Sequence, residues 1–395
     1  MNDKISTGQQ KGLTVAGLFA GIGGIEVGFR RAGHEAELLC EIDRGASSVL
    51  RHQFPDVPLA TDVRALKGLP NVDIVAAGFP CQDLSQAGRT AGIGGAQSSL
   101  VGDVFRLIDS RKRGPKWLVL ENVSFMLQLD RGRAMRYLAD ELEVRGYTWA
   151  YRVVDTRAFG LPQRRQRVIL IASKTDDPRT ILFADDALPV EPHFAPNRWC
   201  GFYWTEGSRG LGWAVDAVPT LKGGSTIGIP SPPAIWKPKT GEIVTPGIND
   251  AERLQGFDPD WTLAAVEAPH VRPGHRWKLV GNAVSVPVAE WVGSRLATPG
   301  SFDSSRTGAL LGRGVSWPKA AFGAKGDVFP IDVTLWPVRL KTKHLSEFFA
   351  FGLVPLSARA ALGFHGRASK ARLRFQEGFL DAVHDHGEFM RASAE

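Results

Sequence analysis

The segment LTVAGLFAGIGGIEVGFRRAG, residues 13–33, constrains the fold more than any other part of the chain. An apolar run of strand character gives way to Gly21-Ile22-Gly23-Gly24, then to a helical pattern that Gly33 can stop. A strand feeding a helix through glycines is an opening unit of parallel α/β sheets, and its turn lets a ligand approach the backbone. Four more apolar runs follow: AELLCEID, VDIVAAGF, KWLVLENV and RQRVILIAS. Strands alternating with helical patterns predict a largely parallel sheet whose ligands sit at the carboxyl ends of its strands. Glu41, Cys81 and Glu121 fall at those ends.

The turn is not a complete dinucleotide fingerprint. Glu26 stands where the third glycine of G-x-G-x-x-G belongs, which argues against a nicotinamide oxidoreductase. Glu41 follows the glycines at the spacing that suits a carboxylate accepting from ribose hydroxyls; a solvated loop acid is the plainer reading. Asp62 suits an adenine amino group or, equally, a turn cap.

Cys81 lies in Pro80-Cys81-Gln82, between a buried strand and the glycine- and serine-rich DLSQAGRTAGIGGAQSS. A loop start favours a thiolate, although a lone cysteine is more often a small core residue. Glu121 becomes a proton donor only if burial lifts its pKa above the ordinary value of about 4.3. Arg165 and Arg167, two apart before a buried strand, can face one pocket. Together these groups suit one reaction. A carboxylic acid on N3 and an arginine on O2 make C6 of cytosine open to thiolate attack, which turns C5 into a carbon nucleophile.

Composition sets the setting. A length of 395 residues allows two or three domains, and the formal charge of +7 fits a polyanionic partner. Cys40, Cys81 and Cys200 form no CxxC pair, which argues against a disulfide framework and a structural zinc site. No secretory leader or membrane-length apolar run is visible, so a reducing cytoplasm is the expected location, beside the nucleoid.

In order, the chain carries Phe19-Ala20-Gly21-Ile22-Gly23-Gly24, Glu41, Asp62, Gly78-Phe79-Pro80-Cys81-Gln82, Glu121-Asn122-Val123, Gln163-x-Arg165-x-Arg167, Arg253-Leu254-Gln255-Gly256-Phe257 and Gly281-Asn282-Ala283-Val284. This series resembles the DNA (cytosine-5) methyltransferase family of restriction-modification and phage-defence systems, over residues 13–296. The resemblance implies a Rossmann-like α/β domain that binds S-adenosyl-L-methionine, a small loop-rich target-recognition domain, and duplex DNA as substrate. It implies a catalytic set of Cys81, Glu121, Arg165 and Arg167. The implied cofactor contacts are Phe19, Gly21, Gly23, Glu41, Ile42, Asp62, Pro80, Asn282 and Val284. Residues 83–100 match a mobile loop that closes over a flipped base. An RNA-directed enzyme of the same chemistry and a non-catalytic binding protein are the alternatives. A cognate restriction or defence protein is the implied partner.

Gly17 departs from the pattern, because the family usually carries an aspartate there. Gln97 departs as well, falling near a usual arginine. The expected layout is a first catalytic part at 1–174 and target recognition at 175–270, rich in tryptophan and proline. A return helix at 271–297 and a C-terminal extension at 298–395 follow. Arg198, Arg209, Lys222, Lys237 and Lys239 are candidate DNA contacts, as is the basic run at 367–374.

Overall fold

The computed structural model describes residues 12–79, 100–223, 230–312 and 314–394. Pro80, Cys81 and 82–99 therefore lie outside the described residues, as does most of the TLKGGSTIG segment at 220–228.

The predicted strand–turn–helix opens the fold, as β1 (Thr14–Leu18) and α1 (Gly24–Arg31). Next come β2 (Glu35–Cys40), α2 (Arg44–Gln53), β3 (Leu59–Ala60) and β4 (Ile74–Ala77). After α3 (Leu100–Asp109) the chain forms β5 (Trp117–Val123), α4 (Arg133–Val144) and β6 (Thr148–Asp155). The short β7 (Gln163–Arg164) leads into β8 (Gln166–Ser173). Strands β3-β2-β1-β4-β5 run parallel, and β8 enters antiparallel between β5 and β6. The strand order reverses beside β1, so β1 and β4 open a crevice at their carboxyl ends. One face of the sheet packs on α3 and α4 through Val104, Phe105, Leu138 and Leu142. The other packs on α1 and a late helix through Phe29, Val288 and Val292.

A second sheet is antiparallel and built from very short strands. Its members from this part of the chain are β9 (Cys200–Phe202), β10 (Ala214–Val215), β12 (Ala234–Trp236) and β13 (Ile243–Pro246). Between them β11 (Val218–Pro219) pairs in parallel with β7, joining the two halves of the molecule. Trp199, Trp204, Trp213 and Trp236 all pack into the hydrophobic clusters rather than standing free.

The single return helix expected at 271–297 is in fact two. After α5 (Ile248–Leu254), α6 (His275–Asn282) ends at an extended Ala283, and α7 (Val286–Ala297) restarts with proline in its first turn. Pro287 fits there because a first-turn residue has no intrahelical acceptor for an N–H, whereas deeper in one long helix it would remove a bond. The break turns backbone carbonyls outward, which matters for the site below.

The segment beyond residue 298 contributes to both sheets. β14 (Ala320–Ala324) and β15 (Asp327–Pro330) extend the large sheet past β6. The buried Arg152 of β6 holds this stretch, donating from Nε to the Thr334 carbonyl at 3.0 Å and pairing with Asp186 at 2.6 Å. β16 (Leu353–Pro355) then adds an edge strand to the small sheet. Finally α8 (Ala358–Ala368) and α9 (Phe379–Ala392) cover that sheet, with Phe364 and Phe379 against Phe202.

Candidate active site

The β1 carboxyl end carries Phe19 in the left-handed region, at φ 54, followed by Gly21 and Gly23 at positive φ. A non-glycine residue held there costs on the order of 1–3 kcal/mol and is seen mainly at functional turns. Glu41, just beyond β2, accepts from the Gly21 N–H at 2.8 Å and from the Asp43 N–H at 2.7 Å. Two N–H donors aim the carboxylate, and each oxygen keeps a lone pair for a further partner. Burial pushes the Glu41 carboxyl up, against the pull of those backbone donors.

These groups line a cavity of about 350 Å³. Phe19, Gly21, Glu41, Ile42, Asp62 and Asn282, all expected at the cofactor, are in its wall. Ile42 is 62% exposed, an apolar surface left uncovered beside an acid. Gly23 and Val284 do not line it: Gly23 packs on Phe54 and Leu50, and Val284 approaches Gly78 and Gly24. Pro80 lies outside the described residues. The Asp62 carboxylate is engaged by Arg64, with Nη2 donating at 2.7 Å. Sequence reasoning missed Asp43, Lys278 and Leu279. Asp43 caps α2 and pairs with His275 at 2.9 Å and Lys278 at 3.5 Å, a long-range set that no local motif announces.

The missing Gly17 aspartate has a structural counterpart. A Cβ on Gly17 would fall 2.1 Å from Oε1 of Glu26, so the α1 carboxyl fills the space a side chain there would need. Glu26 is buried, its Oε2 has no partner, and burial pushes its pKa up to about 7.

Glu121 lies near the carboxyl end of β5, and Arg167 near the start of β8. Arg167 Nε donates to Glu121 Oε1 at 3.0 Å, and both side chains are largely buried. Burial pushes the Glu121 carboxyl up, while the Arg167 and Arg165 guanidiniums pull it down. Asn122 donates from Nδ2 to the Phe79 carbonyl at 3.0 Å and fixes the end of β4 beside Glu121. A Cβ on Gly78 would lie 3.6 Å from Glu121 Oε2, and Gly78 also lines the cofactor-sized cavity. Cavity and acid are therefore neighbours, separated by one glycine.

Arg165 is held differently from Arg167. Its guanidinium donates to the carbonyls of Leu221 at 3.3 Å, Gly281 at 3.1 Å and Ala283 at 2.7 Å. The helix break at Ala283 supplies two of those acceptors. Gln163 and Gln255 extend this buried polar cluster, with Gln163 Nε2 donating to the Leu254 carbonyl at 2.8 Å and Ser285 Oγ to Gln255 Oε1 at 2.7 Å. Thus the QRRQR, RLQGF and GNAV motifs meet at one junction. Gly281 permits it, since a Cβ there would lie 2.5 Å from the Gly223 nitrogen.

Of the five candidate DNA-contacting cations, three are paired with acids. These are Lys222 with Glu206, Arg198 with Asp216 and Lys237 with Glu242. In the basic run near 367–374, Arg367 braces the small domain by donating to the Trp204 and Glu206 carbonyls. Among the described residues no cluster of His, Cys, Asp and Glu can hold a metal, and no helix is long and apolar enough to cross a membrane.

A doubly wound sheet with an aimed acid at its crevice, a nucleoside-sized cavity and an adjoining buried acid–arginine pair defines a Rossmann-like α/β enzyme. Residues 13–195 match the C-5 cytosine-specific DNA methylase family. The chain is 46% identical to the Type II methyltransferase M2.BsuMI of Bacillus subtilis (strain 168), over 94% of this chain and 97% of that protein. It is 33% identical to the Type II methyltransferase M.HaeII of Haemophilus aegyptius, over 69% of this chain and 88% of that one. The crystal structure of S. pombe Dnmt2 methyltransferase shares the fold, with a TM-score of 0.52 at 15% identity, covering 72% of this chain and 97% of the other. The chain belongs to the C-5 cytosine-specific DNA methylase family and is a DNA cytosine methyltransferase.

Proposed function

We propose that the chain methylates C5 of a cytosine swung out of duplex DNA, using S-adenosylmethionine, with Cys81 as the nucleophile. The observation that carries this reading is the position of Gly78, which lines the cavity and leaves no side chain between it and Glu121, so that a cofactor site and a buried acid lie side by side. The residues of the cavity suit this cofactor. Glu41 has lone pairs free for ribose hydroxyls, and Phe19 and Ile42 offer apolar surface to a purine. When bound, S-adenosylmethionine supplies an electrophilic methyl group.

Cys81 follows Phe79 by two residues, and Phe79 is tied to Asn122 beside Glu121. The other two cysteines make poor nucleophiles: burial pushes the Cys40 and Cys200 thiols up to about 12. In the proposed step, Cys81 Sγ bonds to C6, the C5–C6 π pair moves into the ring, and Glu121 protonates N3. C5 then takes the methyl group as the methyl–sulfur bond of the sulfonium breaks, its pair staying on sulfur as a thioether. C5 loses its proton to a base, the S–C6 bond breaks to re-form C5=C6 and the Cys81 thiolate, and N3 returns its proton to Glu121. Arg167 holds Glu121 in place and adds positive charge toward the base. Arg165 acts as a positioning residue that locks the junction behind Arg167. Extruding the base costs on the order of a few kcal/mol, which DNA contacts must offset.

The similarity to Type II methyltransferases supports a host-modification role beside a cognate nuclease. Competition tests the substrate class. Labelled methyl transfer to duplex DNA should survive excess tRNA and be abolished by excess unlabelled duplex; the reverse pattern would favour an RNA-directed enzyme.

A further inference from the structure

Residues 331–344 cross from the large sheet to the small one along the catalytic edge. Their path starts beside β6, where the Asp155 N–H donates to the Leu335 carbonyl at 3.0 Å. The Leu340 N–H then donates to the Ala158 carbonyl at 2.9 Å, and Thr342 Oγ1 to the Arg157 carbonyl at 3.4 Å. On the far side, His344 and the Leu345 N–H both engage Asp216, and Leu345 is buried in the cluster that joins α1 and α2 to the small sheet. The strap is thus tied at both ends and, through Leu340 and Thr342, between them.

Its anchorage lies close to the chemistry. Asp155 pairs with Gln166 at one edge of β8, and Val123 pairs with Arg167 on the other side. Two strand spacings, about 10 Å in all, therefore separate Asp155, which holds Leu335, from Val123 at the end of the strand that carries Glu121. A duplex is broader than that separation, so the edge that holds Leu335 is within reach of DNA presenting a base to Glu121.

The strap reads RLKTKH over residues 339–344. Arg339, Lys341 and Lys343 are exposed, and among the described residues none has an acid partner. The nearby acids are already taken: Asp155 and Glu191 by Arg157, and Asp216 by His344 and Arg198. Three cations in five residues, held on a fixed backbone with their charge uncompensated, match the repeating negative charge of a nucleic-acid backbone. By contrast, three of the five cations expected to serve this role in the small domain are neutralised by neighbours. Beside the strap a groove of about 470 Å³ opens between Arg157 and Trp336 on one side and Arg198 on the other.

We propose that residues 339–344 form a strap that binds phosphodiester groups of the substrate duplex beside the catalytic centre, through Arg339, Lys341 and Lys343. Fixing cations on a tethered strap, rather than on a loop, lowers the entropy lost when the phosphates engage. The proposal rests on duplex DNA being the substrate.

The test compares the full chain with a triple variant, Arg339→Gln, Lys341→Gln and Lys343→Gln. A control variant removes three exposed charges at the amino end of β5, away from the catalytic end of the strands, with Lys112→Gln, Arg113→Gln and Lys116→Gln. Duplex binding is read by fluorescence anisotropy over a range of salt concentrations. S-adenosylmethionine affinity and melting temperature report on folding. The triple variant should bind roughly tenfold or more weakly, and its slope of log affinity against log salt should fall by about two to three. The control should keep the native slope, and all three proteins should melt alike. A triple variant with the native slope, or one that loses no more than the control, overturns the strap. A native protein that methylates no duplex would instead overturn the substrate reading.

Discussion

Arg167 Nε donates to Glu121 Oε1 at 3.0 Å across the antiparallel junction of β5 and β8. The pair sits on adjacent interior strands of the large sheet, each hydrogen-bonded on both sides, so the sheet itself fixes its geometry. Burial holds the acid form of Glu121 to higher pH than an exposed carboxyl, and Arg167 limits that rise. Glu121→Gln should lower kcat roughly 10²- to 10⁴-fold while duplex and cofactor affinities change only a few-fold. Steady-state kinetics beside equilibrium binding check the split.

The same pair fixes a pH response. The protonated Glu121 is the donor, so the rate should fall as pH rises through its elevated pKa. Arg167→Gln removes a group that lowers that pKa, so the alkaline limb of the kcat profile should move to higher pH. A limb that stays put, or moves down, would mean another group titrates.

Arg165 answers to a different assay. Its removal leaves the Leu221, Gly281 and Ala283 carbonyls without this donor in a buried junction, at about 1–3 kcal/mol for each group left unpaired. Among the described residues only Ala283 keeps a second, longer bond, from Gln255. Arg165→Ala should therefore cost several kcal/mol in denaturant unfolding. Arg165→Lys should rescue little, because an ammonium lacks the planar fork that spans three acceptors.

For the cofactor, Glu41→Ala should weaken S-adenosylmethionine binding by about 10- to 100-fold, the loss expected for hydrogen bonds to a charged group. Asp62→Asn should cost less, since that carboxylate is engaged by Arg64. Isothermal titration of both variants checks the order.

Glu26 links stability to pH. Its folded pKa of about 7 lies above the ordinary carboxyl value, so its favourable contribution is complete in acid and is lost as pH rises through 7. The loss amounts to roughly 3 kcal/mol at 1.36 kcal/mol per unit. Glu26→Gln should flatten the decline in melting temperature between pH 5 and pH 8. Gly17→Asp should destabilise the native chain and be tolerated better with Glu26→Ala, because the two side chains compete for one space.

The large sheet and the acids at its strand ends were legible because apolar runs of five to eight residues are local signals. Glu41 and Glu121 sit at strand ends, and the structure sets them where that position implies. Arg165 and Arg167 show the limit of spacing arguments. Alternation predicts a shared side, yet one guanidinium reaches Glu121 and the other reaches carbonyls made available by a helix break near Ala283. The destination of residues 298–395 was illegible for a related reason. Pairing Phe322 with Ala150, or Val354 with Thr245, closes loops of more than a hundred residues, and strands of three to five residues carry little period to read.

The most direct measurement of the central claim is bisulfite mapping of unmethylated genomic DNA after incubation with S-adenosylmethionine and either the native chain or Cys81→Ala. The account predicts 5-methylcytosine in one sequence context with the native protein and none with the variant. Equal methylation by both, or methylation by neither while both bind S-adenosylmethionine, would contradict Cys81 as the nucleophile of a duplex-DNA cytosine methyltransferase.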